Sequence, residues 1–186
     1  NESVRRILLK KLKYDILDGY KAKNEDLSSL LKENEELNVK FATESVTLLK
    51  GEFNGLDKNK STLIISPSTS YSLGGGLESN SFACYAAKYL KEKGFKTVDY
   101  YEVKANISSS NLTEIVSAAK NYDQIVVAMS NVKTSGYSNS ASFVNKLAGL
   151  NKELLVIALD TPYDIMSYSN VNNYVEFADG LWRIIS

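Results

Sequence analysis

Hydrophobic and polar positions follow two different patterns on either side of residue 61. Upstream, apolar side chains recur at helical spacing, which predicts a helix from an Asn1 cap through Lys13 and further helices at residues 25–31 and 35–49. Downstream, short apolar runs alternate with amphipathic segments and polar loops. The run at residues 61–67 is β-branched in its middle and closed by a proline, which is typical of a strand buried on both faces of a parallel sheet.

Strands and helices are predicted to alternate throughout the downstream part. The expected strands are residues 61–67, 95–103, 124–129, 154–159 and 172–177, and the expected helices are residues 82–94, 111–119, 142–150 and a last one from 181. This alternation predicts an α/β fold, a three-layer α/β/α sandwich with right-handed crossovers. We favour a flavodoxin-like, mostly parallel sheet of about five strands with the first strand central, the second at an edge and a helical appendage at the N-terminus.

Domain organisation follows from a polar break in the helical part. Gly19 and the polar run at residues 21–24 indicate a linker, so we place one unit at residues 1–24 and the sandwich domain at residues 25–186.

The balance of 22 basic and 22 acidic residues gives no basic surface that would favour nucleic acid. No apolar run approaches the roughly 20 residues that span a bilayer.

The residue types in the chain limit the chemistry that it can perform. Histidine is absent, which excludes a Ser-His-Asp or Cys-His apparatus and any His-ligated metal within this chain. Cys84, the only cysteine, has a helical spacing that favours a packed small residue over a nucleophile. We predict no metal site and no bound cofactor.

Polar loops follow the carboxyl ends of three predicted strands, where sheets of this type bind ligands. The candidate ligand-contacting residues in these loops are Ser68, Ser70, Ser130, Asn131, Tyr137, Asp160 and Asp164. Pro162 forces Thr161 to be extended, and Asp164 is placed to cap the segment after it. We therefore favour a structural role over ligand contact for Asp160 and Asp164.

Two further features of the first loop allow a phosphate-binding interpretation. The three glycines at residues 74–76 have neither the Gly-Lys-Ser/Thr ending of a P-loop nor the spacing of a dinucleotide fold, so a flexible loop is favoured. The hydroxyl-rich residues 66–72 could bind the phosphate of FMN. A solvated loop is favoured there too, because the phosphate loop of a flavodoxin normally includes a glycine.

Three segments, in this order along the chain, resemble glycoside hydrolase family 3. Glu-Ser-Val-Arg-Arg-Ile-Leu at residues 2–8 is similar to the last helix of that family's catalytic barrel, and Ala-Thr-Glu-Ser-Val-Thr-Leu-Leu-Lys at residues 42–50 resembles its entry into the second domain. Ala-Leu-Asp-Thr-Pro-Tyr-Asp-Ile at residues 158–165 is similar to the β-N-acetylglucosaminidase (β-hexosaminidase) branch. The resemblance implies that residues 1–24 end an upstream (β/α)8 barrel and that the remainder is the C-terminal domain.

The resemblance also implies where the catalytic groups lie. The family's nucleophilic Asp belongs to the barrel, and its β-glucosidase-type members take an acid/base carboxylate from the loop after the third strand of the second domain. Residues 124–152 contain no Asp or Glu, and the His-Asp pair of the hexosaminidase branch lies in the barrel. The expected function is an accessory domain of an enzyme that hydrolyses terminal β-linked N-acetylglucosamine, with no catalytic residue of its own and no activity alone.

Other functions remain open at this point. A non-catalytic glycan-binding or interaction module is the main alternative, and a flavodoxin-like FMN-binding protein is the second. The expected partners are the upstream barrel of the same protein and a glycan. The compartment is open, with an exported or cell-surface location in a bacterium favoured over the cytoplasm.

Overall fold

A computed structural model describes residues 2–14, 16, 27–68, 81–103, 107–132 and 138–177. The chain divides into two compact units, residues 1–37 and 38–186. The predicted boundary after residue 24 lies outside the described residues and stays a prediction. The predicted helix from residue 181 and most of the loops at 68–76 and 130–137 lie outside them as well.

The upstream unit contains α1 (Glu2–Lys13) and the start of α2 (Leu27–Ser45). The predicted apolar stripe of α1 is present, but no residue of this helix is buried. Ile7 and Leu12 are 56% and 61% exposed. Glu2 accepts hydrogen bonds from Arg5 and Arg6 at 2.9 and 3.1 Å, and this pairing lowers the pKa of the Glu2 carboxyl group.

The second unit is a mostly parallel sheet of six strands in the order β1-β6-β5-β4-β2-β3. The strands are β1 (Thr47–Lys50), β2 (Thr62–Pro67), β3 (Val98–Val103), β4 (Gln124–Met129), β5 (Glu153–Ala158) and β6 (Asn173–Glu176). Helices α3 (Phe82–Glu92), α4 (Ser109–Ala119) and α5 (Ser138–Ala148) connect the parallel strands, and a 3₁₀ helix (Pro162–Ser167) follows β5. Apart from β1, the strands have the predicted flavodoxin-like order, with β2 inside the sheet and β3 at its edge.

Both faces of the sheet carry a hydrophobic core. On one face Leu63, Ile125 and Val156 pack with side chains of α4 and α5, including Leu112 and Phe143. Burial of each such side chain stabilises the fold by about 1.5–3 kcal/mol.

The opposite face has its own cluster, in which Ile64, Val126 and Ile157 pack with Ala83 and Ala87 of α3. The two clusters lie on opposite faces of the same strands, which confirms the three-layer sandwich.

The predicted helix at residues 35–49 is wrong in its last turn. One helix, α2, replaces the two predicted helices and ends at Ser45, and Thr47–Lys50 form the antiparallel edge strand β1. Thr47 pairs with Glu176 and Leu48 pairs with Val175. Pairing satisfies main-chain groups of β6 that would otherwise form an open sheet edge, and this tertiary contact outweighs the local helical pattern.

Two helix starts also differ from the prediction. Helix α4 begins at Ser109, two residues before the predicted start, because Ser108 caps it: the Ser108 hydroxyl accepts a hydrogen bond from the Asn111 N–H at 3.3 Å. Helix α5 begins at Ser138, four residues before the predicted start.

Gly51 follows β1 in a left-handed conformation with φ +88°. A Cβ at this position would lie 2.2 Å from the main-chain oxygen of Asn172. The chain therefore needs glycine here both for its backbone angle and for the close approach of the residues that precede β6.

We expect Gly51→Ala to destabilise the protein by about 2 kcal/mol or more, because the strained backbone and the clash add. Gly55→Ala is the matched control: its φ is +93°, but no atom lies within 4 Å of the added Cβ. That variant should lose about 1 kcal/mol. Urea unfolding followed by circular dichroism measures both, and equal losses would contradict the steric account.

Candidate functional site

The candidate site is the edge of the sheet at the carboxyl ends of the parallel strands. Strands β4 and β5 end side by side, because Met129 pairs with Ala158 and the Leu159 N–H donates to the Met129 carbonyl at 2.9 Å. Ser130 and Asp160 therefore leave the sheet at the same edge. Strand β2 is the neighbour of β4 on its other side and ends at the same edge. Just beyond its end, the Ser68 N–H donates to the Val103 carbonyl of β3 at 2.8 Å.

Two of the predicted site residues are in direct contact. The Nδ2 group of Asn131 donates to Oδ2 of Asp160, which joins the loops that follow β4 and β5. Asn131 has φ +52°, a left-handed conformation that asparagine tolerates better than most residues. Asn131 is exposed and Asp160 is partly exposed, so this pair lies at the surface of the edge.

Asp164 plays a different role from the predicted cap. The N-cap of the 3₁₀ helix is Thr161, which is extended as predicted and accepts a hydrogen bond from the Tyr163 N–H at 3.4 Å. Asp164 is only 1% exposed, and its Oδ2 accepts a hydrogen bond from the Val132 N–H at 3.2 Å. The carboxyl group thus fastens the turn after β5 to the chain that leaves β4.

Further contacts hold the rest of this turn. The Nδ2 group of Asn145 donates to the Ser167 carbonyl at 3.1 Å, and its Oδ1 accepts from the Ser169 N–H at 2.8 Å. The Tyr174 hydroxyl donates to the Pro162 carbonyl at 3.4 Å. The turn is therefore fixed from beneath, while Tyr163 and Met166 on its outer side are 67% and 73% exposed.

Buried tyrosines lie against this turn. Tyr168 and Tyr174 are 7% and 0% exposed, and their rings are 5.9 Å apart. Burial, together with the nearby charge of Asp164, raises the pKa of both phenols above the ordinary value of 10.0. The folded state therefore holds these two hydroxyl groups in their protonated form.

The amino end of α3 lies at the carboxyl ends of β2 and β3, and protein groups occupy its first amides. The Ser66 hydroxyl accepts from the Ala83 N–H at 2.9 Å, and the cap Ser81 accepts from the Cys84 N–H at 3.1 Å. The Ser81 hydroxyl in turn donates to Glu102 at 2.5 Å. A phosphate at this helix end would have to displace these contacts, which disfavours the FMN interpretation at this position.

The predicted site residues thus fall into three groups. Asn131 and Asp160 are brought together and Ser130 adjoins them, whereas Ser68 lies at the end of β2 and Asp164 is buried beneath the turn. Ser70 and Tyr137 lie outside the described residues. Sequence reasoning did not single out Tyr163, which is 67% exposed on the turn after β5, and no local sequence pattern indicates that exposure.

Two features are absent from the part of the chain that the structure describes. In that part of the chain no group of three or more Cys, Asp or Glu side chains could hold a metal ion. None of the helices described there is long and apolar enough to cross a membrane.

The fold is shared with domains of known glycosidases. A glycoside hydrolase family 3 β-N-acetylglucosaminidase from Paenibacillus sp. matches 98% of this chain with a TM-score of 0.70 and 21% identity. The chain has a family 3 domain fold. A family 3 exo-β-xylosidase matches 89% of this chain with a TM-score of 0.60 and 19% identity. A β-glucosidase from Listeria innocua matches 92% with a TM-score of 0.56 and 17% identity.

The chain spans about a third of the Paenibacillus enzyme, 35% of its length, and 25% and 26% of the xylosidase and the glucosidase. At these identities the likeness establishes the family 3 fold. No protein-family model matches the sequence, and no curated protein matches it either.

Asp164 gives a direct test of how the turn is held. Asp164→Ala leaves the buried Val132 N–H without its acceptor and should cost about 1–3 kcal/mol of stability. Asp164→Asn retains an acceptor oxygen and should cost clearly less. Asp160→Ala, at the partly exposed carboxylate of the same turn, is the matched control and should cost about 0.5 kcal/mol. Denaturant unfolding measures all three, and equal losses in the two Asp164 variants would contradict the assigned contact.

The buried tyrosines predict loss of stability in alkali. Below pH 10.0, the ordinary phenol pKa, folded and unfolded chains both keep these protons, so the stabilisation is fully present. As the pH rises further, the unfolded chain ionises first, and the free energy of unfolding should fall by about 1.4 kcal/mol per pH unit for each buried tyrosine. Tyr174→Phe should remove one such contribution from the slope of the unfolding free energy against pH. Urea unfolding at several pH values measures this slope. An unchanged slope would contradict the assignment.

Proposed function

We propose that this chain is the accessory α/β domain of a family 3 glycoside hydrolase whose catalytic (β/α)8 barrel precedes it in the same protein. The observation that carries the proposal is the structural match over 98% of this chain to 35% of a family 3 enzyme. The three sequence segments that resemble the family, at residues 2–8, 42–50 and 158–165, support it independently, because that resemblance rests on the sequence without the structure.

The upstream helix supports the presence of a neighbouring domain. Val4, Ile7, Leu8 and Leu12 of α1 are 51%, 56%, 44% and 61% exposed, although they form a continuous apolar stripe. A stripe of this width normally packs against a partner. Under the proposal, that partner is the barrel of which this helix is the last.

The parent protein is proposed to hydrolyse terminal β-linked N-acetylglucosamine. The segment at residues 158–165 supports this substrate, because it resembles the β-N-acetylglucosaminidase branch, and the Paenibacillus structure is that of a β-N-acetylglucosaminidase. The chemistry needs an acid/base group and a nucleophile on either side of the glycosidic bond. This chain has no histidine and no carboxylate in residues 125–152, and Asp164 is buried, so both groups are assigned to the barrel.

The test compares this chain with the longer protein that includes its upstream region. The chain alone should release no nitrophenol from p-nitrophenyl N-acetylglucosaminide, whereas the longer protein should release it. Asp160→Asn and Asp164→Asn in the longer protein should keep kcat within about tenfold of the parent value, since loss of a general acid/base group costs about 10²–10⁴-fold.

Turnover by this chain alone would overturn the assignment of the catalytic groups to the barrel. A loss of kcat of about 10²-fold or more in either variant would overturn it as well. An inactive longer protein that still binds the glycoside would favour the alternative, a non-catalytic glycan-binding module.

A further inference from the structure

We infer that Asn131, Asp160 and Tyr163 form a saccharide-contacting patch, called here the Tyr163 patch, in which the Tyr163 ring stacks on a pyranose face and Asp160 accepts hydrogen bonds from sugar hydroxyls. The inference deepens the proposed function and depends on it for the identity of the sugar. Tyr163 faces outward, whereas the buried carboxyl group of Asp164 positions the turn, in keeping with the structural role expected for it.

The first support is the rigidity with which Tyr163 is presented. Pro162 has a fixed φ, Thr161 caps the turn, and Asp164 ties it to Val132. The Tyr174 hydroxyl reaches the Pro162 carbonyl from below. Since the backbone of Tyr163 is already ordered, a contact made by its ring loses little conformational entropy on binding.

The second support is the chemistry of the turn that carries Tyr163. A carboxylate can accept about four hydrogen bonds, so Asp160 keeps acceptor capacity after its contact with Asn131. Residues 153–182 contain no Lys or Arg. An exposed aromatic ring three residues after a partly exposed carboxylate, on a turn without a cation, suits a neutral polyhydroxylated ligand better than a phosphate.

The third support is the position of the patch in the fold. The chain winds from β2 to β3 on one side and then crosses to β4 on the other, so the direction of winding changes between β2 and β4. Ligands of open parallel sheets bind beyond the carboxyl ends of the strands at this change. Asn131 lies two residues after the end of β4, one of the two strands at that change, and its contact with Asp160 joins this loop to the turn after β5 that carries Tyr163.

Chitotriose titrated into the 186-residue chain and followed by heteronuclear NMR tests the patch. We expect shift changes to cluster at residues 130–132 and 160–166. Tyr163→Ala should weaken binding by about tenfold, because it removes the aromatic ring that stacks on the sugar. Tyr163→Phe should stay within about twofold of the parent because it keeps the ring, and Asp160→Asn should weaken binding by about threefold.

Tyr89→Ala is the matched control, since Tyr89 is 53% exposed but lies near the carboxyl end of α3, at the opposite edge of the sheet. The affinity of the Tyr89→Ala variant for chitotriose should equal that of the parent. No binding, or binding that Tyr163→Ala leaves unchanged, would overturn the inference and favour a protein partner that covers Tyr163 together with Met166.

The outcomes separate this inference from the proposed function. Binding through Tyr163 in a protein whose longer form is inactive would sustain the patch and refute the hydrolase. An active longer protein with no binding through Tyr163 would refute the patch alone.

Discussion

Burial of the parallel strands on both faces is the constraint on which the rest of this structure depends. All six residues of β4 are buried, and β2 and β5 each bury five of their six. Strands without a solvent-facing side need covering layers above and below, and helical crossovers between parallel strands supply them. The same crossovers bring the carboxyl ends of β2, β4 and β5 to one edge, so the constraint that makes the core also assembles the candidate site.

The elements that sequence reasoning predicted well are those whose own residues determine them. Residues 124–129 and 154–159 are apolar almost throughout and could be placed in a buried strand without knowledge of their neighbours. Strand β1 is different, because Thr47–Lys50 is short, has no buried residue and is adjacent to a helix. Its conformation depends on pairing with β6, which lies far away in the sequence, and no local pattern contains that information.

The same distinction applies to the candidate site. The loops could be predicted, because strand direction alone brings Asn131 and Asp160 to the same edge. The roles of the side chains within the loop could not be predicted. Asp164 resembles a local cap in the sequence, but its Oδ2 accepts a hydrogen bond from the Val132 N–H, which belongs to another loop. A hydrogen bond between loops decides that Asp164 faces inward, and the exposure of Tyr163 follows from it.

Under the proposed function, a domain without catalytic groups can still affect the reaction. Contacts to parts of a substrate that do not react contribute binding energy, and this energy can be used to orient the reacting bond. Such contacts are effective only when the contacting groups are already ordered, and the turn at residues 161–169 satisfies this requirement through Val132, Asn145 and Tyr174. The buried part of the turn and its exposed aromatic ring are then two halves of one arrangement, because the inner hydrogen bonds keep Tyr163 in the position from which a sugar could be held.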